Sequence, residues 1–139
     1  MFRTAILLAG LAQIAIAGTS LLIPRLLRWR EETARLEPLT RQVFWTYATY
    51  TFATNLAFGS LSACAPELLL DGSMLAAMVS LFICLYWAGR LAVQFTYYDR
   101  SVAATGAIFR IAEVAYVGGF AYLTVVYGAA AVHNLRSLG

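Results

Sequence analysis

The chain contains no lysine. All ten of its basic residues are arginine, set against seven acids, and only 12% of its 139 residues are charged, about half the fraction usual in a soluble domain. A single histidine excludes a haem held between two histidines and a multi-histidine di-iron centre, and no motif supports His133 with Met74 as a mixed axial pair. Two cysteines, Cys64 and Cys84, form no CxxC, which removes thiol–disulfide exchange as a function. HExxH, P-loop, GxSxG and paired aspartate-rich motifs are also missing, so nothing points to zinc proteolysis, nucleotide hydrolysis, α/β-hydrolase or prenyl-diphosphate chemistry. No cofactor is expected, and no catalytic residue is assigned.

What is abundant is apolar surface. Hydrophobic residues make up 61% of the chain, and four stretches are long enough to cross a bilayer: 5–23, 43–65, 75–98 and 107–132. The expected fold is an all-α membrane protein, one domain over 1–139. It is a four-transmembrane-helix bundle of two antiparallel hairpins, with a short amphipathic interfacial helix between the first two spans. Five arginines (Arg25, Arg28, Arg30, Arg35, Arg41) lie between spans one and two, and none lies between spans two and three. The positive-inside rule then puts the first and third loops in the cytoplasm and both termini outside, against the lone votes of Arg3 and Arg136. That is the topology of an integral protein of a bacterial inner membrane. Nucleic acid is not an expected partner, because Glu31, Glu32 and Glu37 interleave with the arginines.

The first span ends an apolar run with Leu21, Leu22 and Ile23, too long for a signal-peptide core despite the cleavage-like Ala15-Ile16-Ala17. Its small residues Ala5, Ala9, Gly10, Ala17 and Gly18 allow another helix to approach closely, and Gln13 on that face is placed to hydrogen-bond across the contact. Packing within the chain is preferred over a dimer seam. Between Pro24 and Leu36, Leu26, Trp29, Thr33 and Leu36 share one helical stripe opposite Arg28, Glu31, Glu32 and Arg35. This predicts a headgroup-level helix with (i, i+4) pairs Arg28–Glu32 and Glu31–Arg35 and with Trp29 as anchor. The second span is the most polar: Tyr47, Thr51, Asn55, Phe58 and Ser62 align, flanked by Tyr50 and Thr54. Asn55 must face protein or water, because its amide cannot satisfy itself in lipid.

The short loop Pro66–Ser73 predicts a tight hairpin of spans two and three. On its side of the membrane lie Glu67, Asp71 and His133, whose spacing matches no established metal-ligand pattern. Cys64 and Cys84 fall on the order of 13 Å apart in depth by helical rise, too far for a disulfide. The sharpest signal is Arg90, well inside the third span, with Gln94 one turn on. An ionisable group at membrane depth costs at least ~2.5 kcal/mol and calls for a partner or a polar cavity. Equal depth nominates Glu113 of the fourth span, where Tyr116, Phe120 and Tyr127 form an aromatic stripe. Arg90, Glu113, Gln94, Asn55, Tyr50 and Tyr116 are therefore the expected ligand-binding or polar-core residues.

Three functions fit these residues. The first is a non-catalytic assembly or accessory bundle, or one that binds a lipophilic ligand; its partners would be the lipid bilayer and a protein or second copy docked on small-residue faces. The second is a small oligomeric transporter or channel with a polar path at Arg90, Glu113 and Asn55. The third is an intramembrane enzyme acting on a lipid or quinone-like substrate.

Overall fold

A computed structural model describes residues 1–97 and 107–139, and side chains in the last helix from Arg110 onward. The described secondary structure is entirely helical: α1 (Phe2–Ser20), α2 (Ile23–Leu26), α3 (Trp29–Ala34), α4 (Pro38–Cys64), a 3₁₀ turn (Pro66–Leu69), α5 (Met74–Thr96) and α6 (Ala107–Ser137). The predicted end of the third span at Tyr98, with Asp99 and Arg100 after it, lies outside the described residues.

Among the described residues, three helical segments are long and apolar enough to cross a membrane: Phe2–Leu26, Met74–Thr96 and Arg110–Ser137. The predicted second span is not among them. The 27 residues of α4 are sufficient in length, since only about 20 are needed, but threonines, serines, tyrosines and Asn55 dilute its apolar character. The surface of the molecule matches a lipid-facing protein. Leu75, Met78, Leu85, Val114 and Val125 are each more than 60% exposed, whereas Gln13, Asn55, Ser62, Ser80 and Asn134 are buried. A soluble protein distributes these residue types the other way round.

Local chemistry sets the helix ends. Pro38 starts α4 at a first-turn position, where its missing N–H costs nothing. The Ser73 hydroxyl caps α5 by accepting from the Ala76 N–H at 3.0 Å. Gly72 turns the chain before it at φ +77°, a conformation that favours glycine.

The helix pairing differs from the sequence expectation for spans two and three. α1 lies along α4 and α5 along α6, with α1 also touching α6. Gly10 and Gly59 set the first approach: a Cβ at Gly10 would sit 2.5 Å from the Ala63 nitrogen, and one at Gly59 would sit 3.0 Å from the Ile14 nitrogen. Spans two and three do not form the predicted tight hairpin. α4 and α5 meet through bulky rings, Phe58 against Phe82 and Tyr86 at 6.0 and 5.6 Å, which hold their backbones apart.

The interfacial segment is two short helices rather than one. Arg28 adopts a left-handed conformation, φ 51°, and breaks the helical phase between Leu26 and Trp29. The predicted (i, i+4) pairs are accordingly replaced by (i, i+3) pairs, Arg28–Glu31 at 2.5 Å and Glu32–Arg35 at 3.9 Å. Of the predicted stripe, Thr33 is buried, while Leu26 is 70% exposed.

Opposite ends of the molecule have different characters. Arg3 meets Glu67 at 3.7 Å, Phe2 stacks on His133 and the Gly72 N–H donates to Asn134, so both chain ends and the α4–α5 loop gather together. The arginine-rich segment lies at the other end of α1 and α4. The packed core belongs to the first end, since α4 has no buried residue before Asn55 and α5 none after Trp87.

Candidate functional site

Gln13 is fully buried at the centre of a polar chain that links all four long helices. Trp87 of α5 donates its indole N–H to Gln13 Oε1 at 3.0 Å. Gln13 donates from Nε2 to the Tyr127 hydroxyl of α6, which lies 2.5 Å from Ser62 Oγ of α4. Ser62 spends its own proton on the Phe58 carbonyl at 2.8 Å, so Tyr127 must be the donor to Ser62. Every donor thus hands on to the next acceptor, from indole to amide to phenol to hydroxyl to carbonyl. Such a directional chain polarises its members cooperatively and leaves none unmet. It has no nucleophile and base in a catalytic relation, and its work is to hold the helices.

Next to this saturated chain lies a seam that is not saturated. Asn55 of α4 is 2% exposed and faces the Tyr86 phenol of α5. Asn55 Oδ1 and the Tyr86 hydroxyl form no hydrogen bond of normal geometry, although the amide and the phenol stand close enough to interact with each other. Buried polar atoms are nearly always paired, and an unpaired one costs about 1–3 kcal/mol. Phe58 and Trp87 pack edge to face on the Tyr86 ring, and Phe82 packs on Phe58. Arg90 follows Tyr86 by four residues on the same face of α5; it is exposed, and its guanidinium stands 5.8 Å from the Phe120 ring centroid.

Of the six expected residues, Asn55 and Arg90 flank this seam. Gln94 and Glu113 are half-buried nearer the arginine-rich end. Tyr50 is 68% exposed on α4. Tyr116 is engaged elsewhere, hydrogen-bonded to Thr19 of α1 at 2.7 Å with its ring against Phe120. Trp87 and Arg90 both meet Phe120, which lies seven residues, about 10 Å, along α6 from Glu113.

At the other end, Glu67 pairs with Arg3, His133 stacks on Phe2 and Asp71 accepts from the Ser73 N–H at 2.9 Å. The hydrogen bonds from Ser73 hold the Asp71 carboxyl below its usual range. No three ligating side chains converge among the described residues. Cys64 and Cys84 are both free, and the Cys84 thiol donates to the Thr124 carbonyl at 3.3 Å.

Sequence reasoning missed Trp87, Tyr86 and Asn134. Fully buried Asn134 clamps the α4–α5 turn, donating to the Leu69 carbonyl at 2.9 Å and accepting from the Gly72 N–H at 3.0 Å. Its amide in the last turns of an apolar helix was the available signal. Compared with known protein families, curated proteins and solved structures, the chain matches none.

Proposed function

We propose that this chain is a four-span, non-catalytic membrane bundle that binds a lipophilic molecule at the α4–α5 seam. The observation that carries the reading is a buried amide and phenol, Asn55 and Tyr86, that face each other without a well-formed hydrogen bond, beside the Phe58 and Trp87 rings. Asn55 Oδ1 accepts, the phenol donates or accepts, and Arg90 donates a charged hydrogen bond. The matching ligand is a lipid-soluble molecule with a hydroxyl- or carbonyl-bearing head, its apolar part lying against Phe58 and Phe82. Gln94 and Glu113 extend this polar face toward the arginine-rich end. In this reading α4 is the fourth span, because its polar side turns to ligand and protein. The arginine-rich segment faces the cytoplasm and both chain ends lie outside, in a bacterial inner membrane.

The test is extraction and mass spectrometry of molecules that co-purify with the detergent-solubilised protein. Wild type is expected to retain one such molecule, which Asn55→Leu and Tyr86→Phe both lose. Asn55→Leu should change thermal stability little, because the amide it removes makes no well-formed hydrogen bond. A wild type free of any retained lipophile would contradict the proposal, and so would identical retention by both variants.

A second reading, an oligomeric transporter, is favoured by one feature. α4 turns Tyr47 and Tyr50 outward at 69% and 68% exposure, a polar face that a second copy would cover. A closed homo-oligomer in light scattering, dissociated by Tyr47→Leu with Tyr50→Leu, would favour it.

A further inference from the structure

The break at Arg28 and the start of α4 at Pro38 bring two arginines of different elements to one cavity. Arg30 of α3 and Arg41 of α4, with Thr33, Ala34 and Trp45, line a cavity of about 310 Å³. Its lining includes no acid. Glu31 and Glu32 are engaged by Arg28 and Arg35, and among the described residues neither Arg30 nor Arg41 has an ion-pair partner. One wall of the cavity is tied, while Arg30 and Arg41 are exposed. Buried Thr33 donates to the Trp29 carbonyl at 2.6 Å and accepts the Trp45 indole N–H at 3.3 Å, which ties α3 to α4. Trp29, Phe44 and Trp45 then pack edge to face beside the opening, with centroids 4.9 to 6.1 Å apart.

We propose that this cavity binds a phosphate group through Arg30 and Arg41. Two exposed guanidiniums from separate elements that line one cavity, with no carboxylate in its lining, suit a phosphate's several acceptor oxygens. Phosphate is carried both by anionic lipid headgroups and by soluble phosphates. The tryptophan cluster favours the lipid, since such rings settle at headgroup depth. A cytoplasmic arginine-rich segment would also face the leaflet that carries anionic lipid.

The experiment uses the full chain in detergent with equal amounts of phosphatidylglycerol and phosphatidylcholine, read by native mass spectrometry. A parallel arm adds inorganic phosphate alone and reads thermal stability. Wild type should prefer phosphatidylglycerol by roughly twenty-five-fold if each arginine contributes about fivefold. Arg30→Gln with Arg41→Gln should abolish the preference, whereas Arg25→Gln, outside the cavity, should keep it. A rise in stability with inorganic phosphate, lost in the double variant and without lipid preference, supports the site with a soluble phosphate as its source. Circular dichroism of the double variant checks that its helices remain; if they do not, the single variants Arg30→Gln and Arg41→Gln are read instead. Wild type that shows neither lipid preference nor a phosphate effect overturns the proposal, as does a preference unchanged by the substitutions. The site is remote from Asn55, so its failure would leave the lipophile reading standing, and the reverse.

Discussion

Gln13 shows why a single amide can matter more in lipid than a whole face of leucines. Its two ends bridge the Trp87 indole and the Tyr127 phenol, and each helix of the bundle contributes one member of the chain it centres. Gln13→Leu strands a buried indole N–H and breaks the phenol's contact, so it should destabilise by about 1–3 kcal/mol. Tyr127→Phe removes the same link from the other side. A double-mutant cycle of the two, followed by thermal unfolding in detergent, should show a coupling of order 0.6–1.7 kcal/mol, the range of interhelical hydrogen bonds in membranes. Additive effects would mean that the chain is geometry without energy. The sequence pointed to Gln13 because a glutamine among alanines and glycines has few other uses. It could not point to Trp87 or Tyr127, since aromatic residues at helical spacing read equally as packing. Asn55 was legible as buried, but not as unsatisfied, because that depends on where Tyr86 falls on another helix.

At the scale of the element, the α1–α4 crossing is set by two glycines rather than by hydrophobicity. Lipid tails are as apolar as leucine, so helices associate in membranes by close packing. Gly10→Ala places a methyl 2.5 Å from one backbone atom and 2.8 Å from another, and backbone cannot swing aside. The overpacking cost, about 1–3 kcal/mol, exceeds the gain of about 1 kcal/mol that alanine brings to a helix. Gly10→Ala should therefore lower the unfolding temperature. Gly18→Ala, with nothing within 4 Å, should hold or raise it. Equal responses at the two sites would contradict the crossing as described. The small-residue face of α1 was readable in the sequence; its partner was not, because loop length alone argued for pairing the second span with the third. The interfacial segment shows a similar limit. Its helical stripe was real in projection, yet one left-handed residue, Arg28, moved every later side chain to a new phase.

For the whole molecule, alternation is visible in the contacts. The two chain ends and the α4–α5 loop sit together, and the arginine-rich segment sits at the far end of α1, which four crossings would produce. Composition announced the membrane class because apolar runs are read directly from sequence. Composition leaves α4 undecided, because threonines, serines, tyrosines and Asn55 lower its apolar character. Whether α4 crosses the bilayer decides whether Asn55 and Tyr86 form an intramembrane site, so its placement is the direct test. Cysteines would be introduced singly at Leu39, Ala53 and Leu68, all exposed, after replacing Cys64 by Ser and Cys84 by Ala. Each would be challenged with a membrane-impermeant maleimide, before and after opening the cells. The account predicts that the cysteine at 68 labels in intact cells, that at 39 labels only after permeabilisation, and that at 53 stays protected in both. Labelling of positions 39 and 68 from the same side, with position 53 as reactive as either, would contradict it.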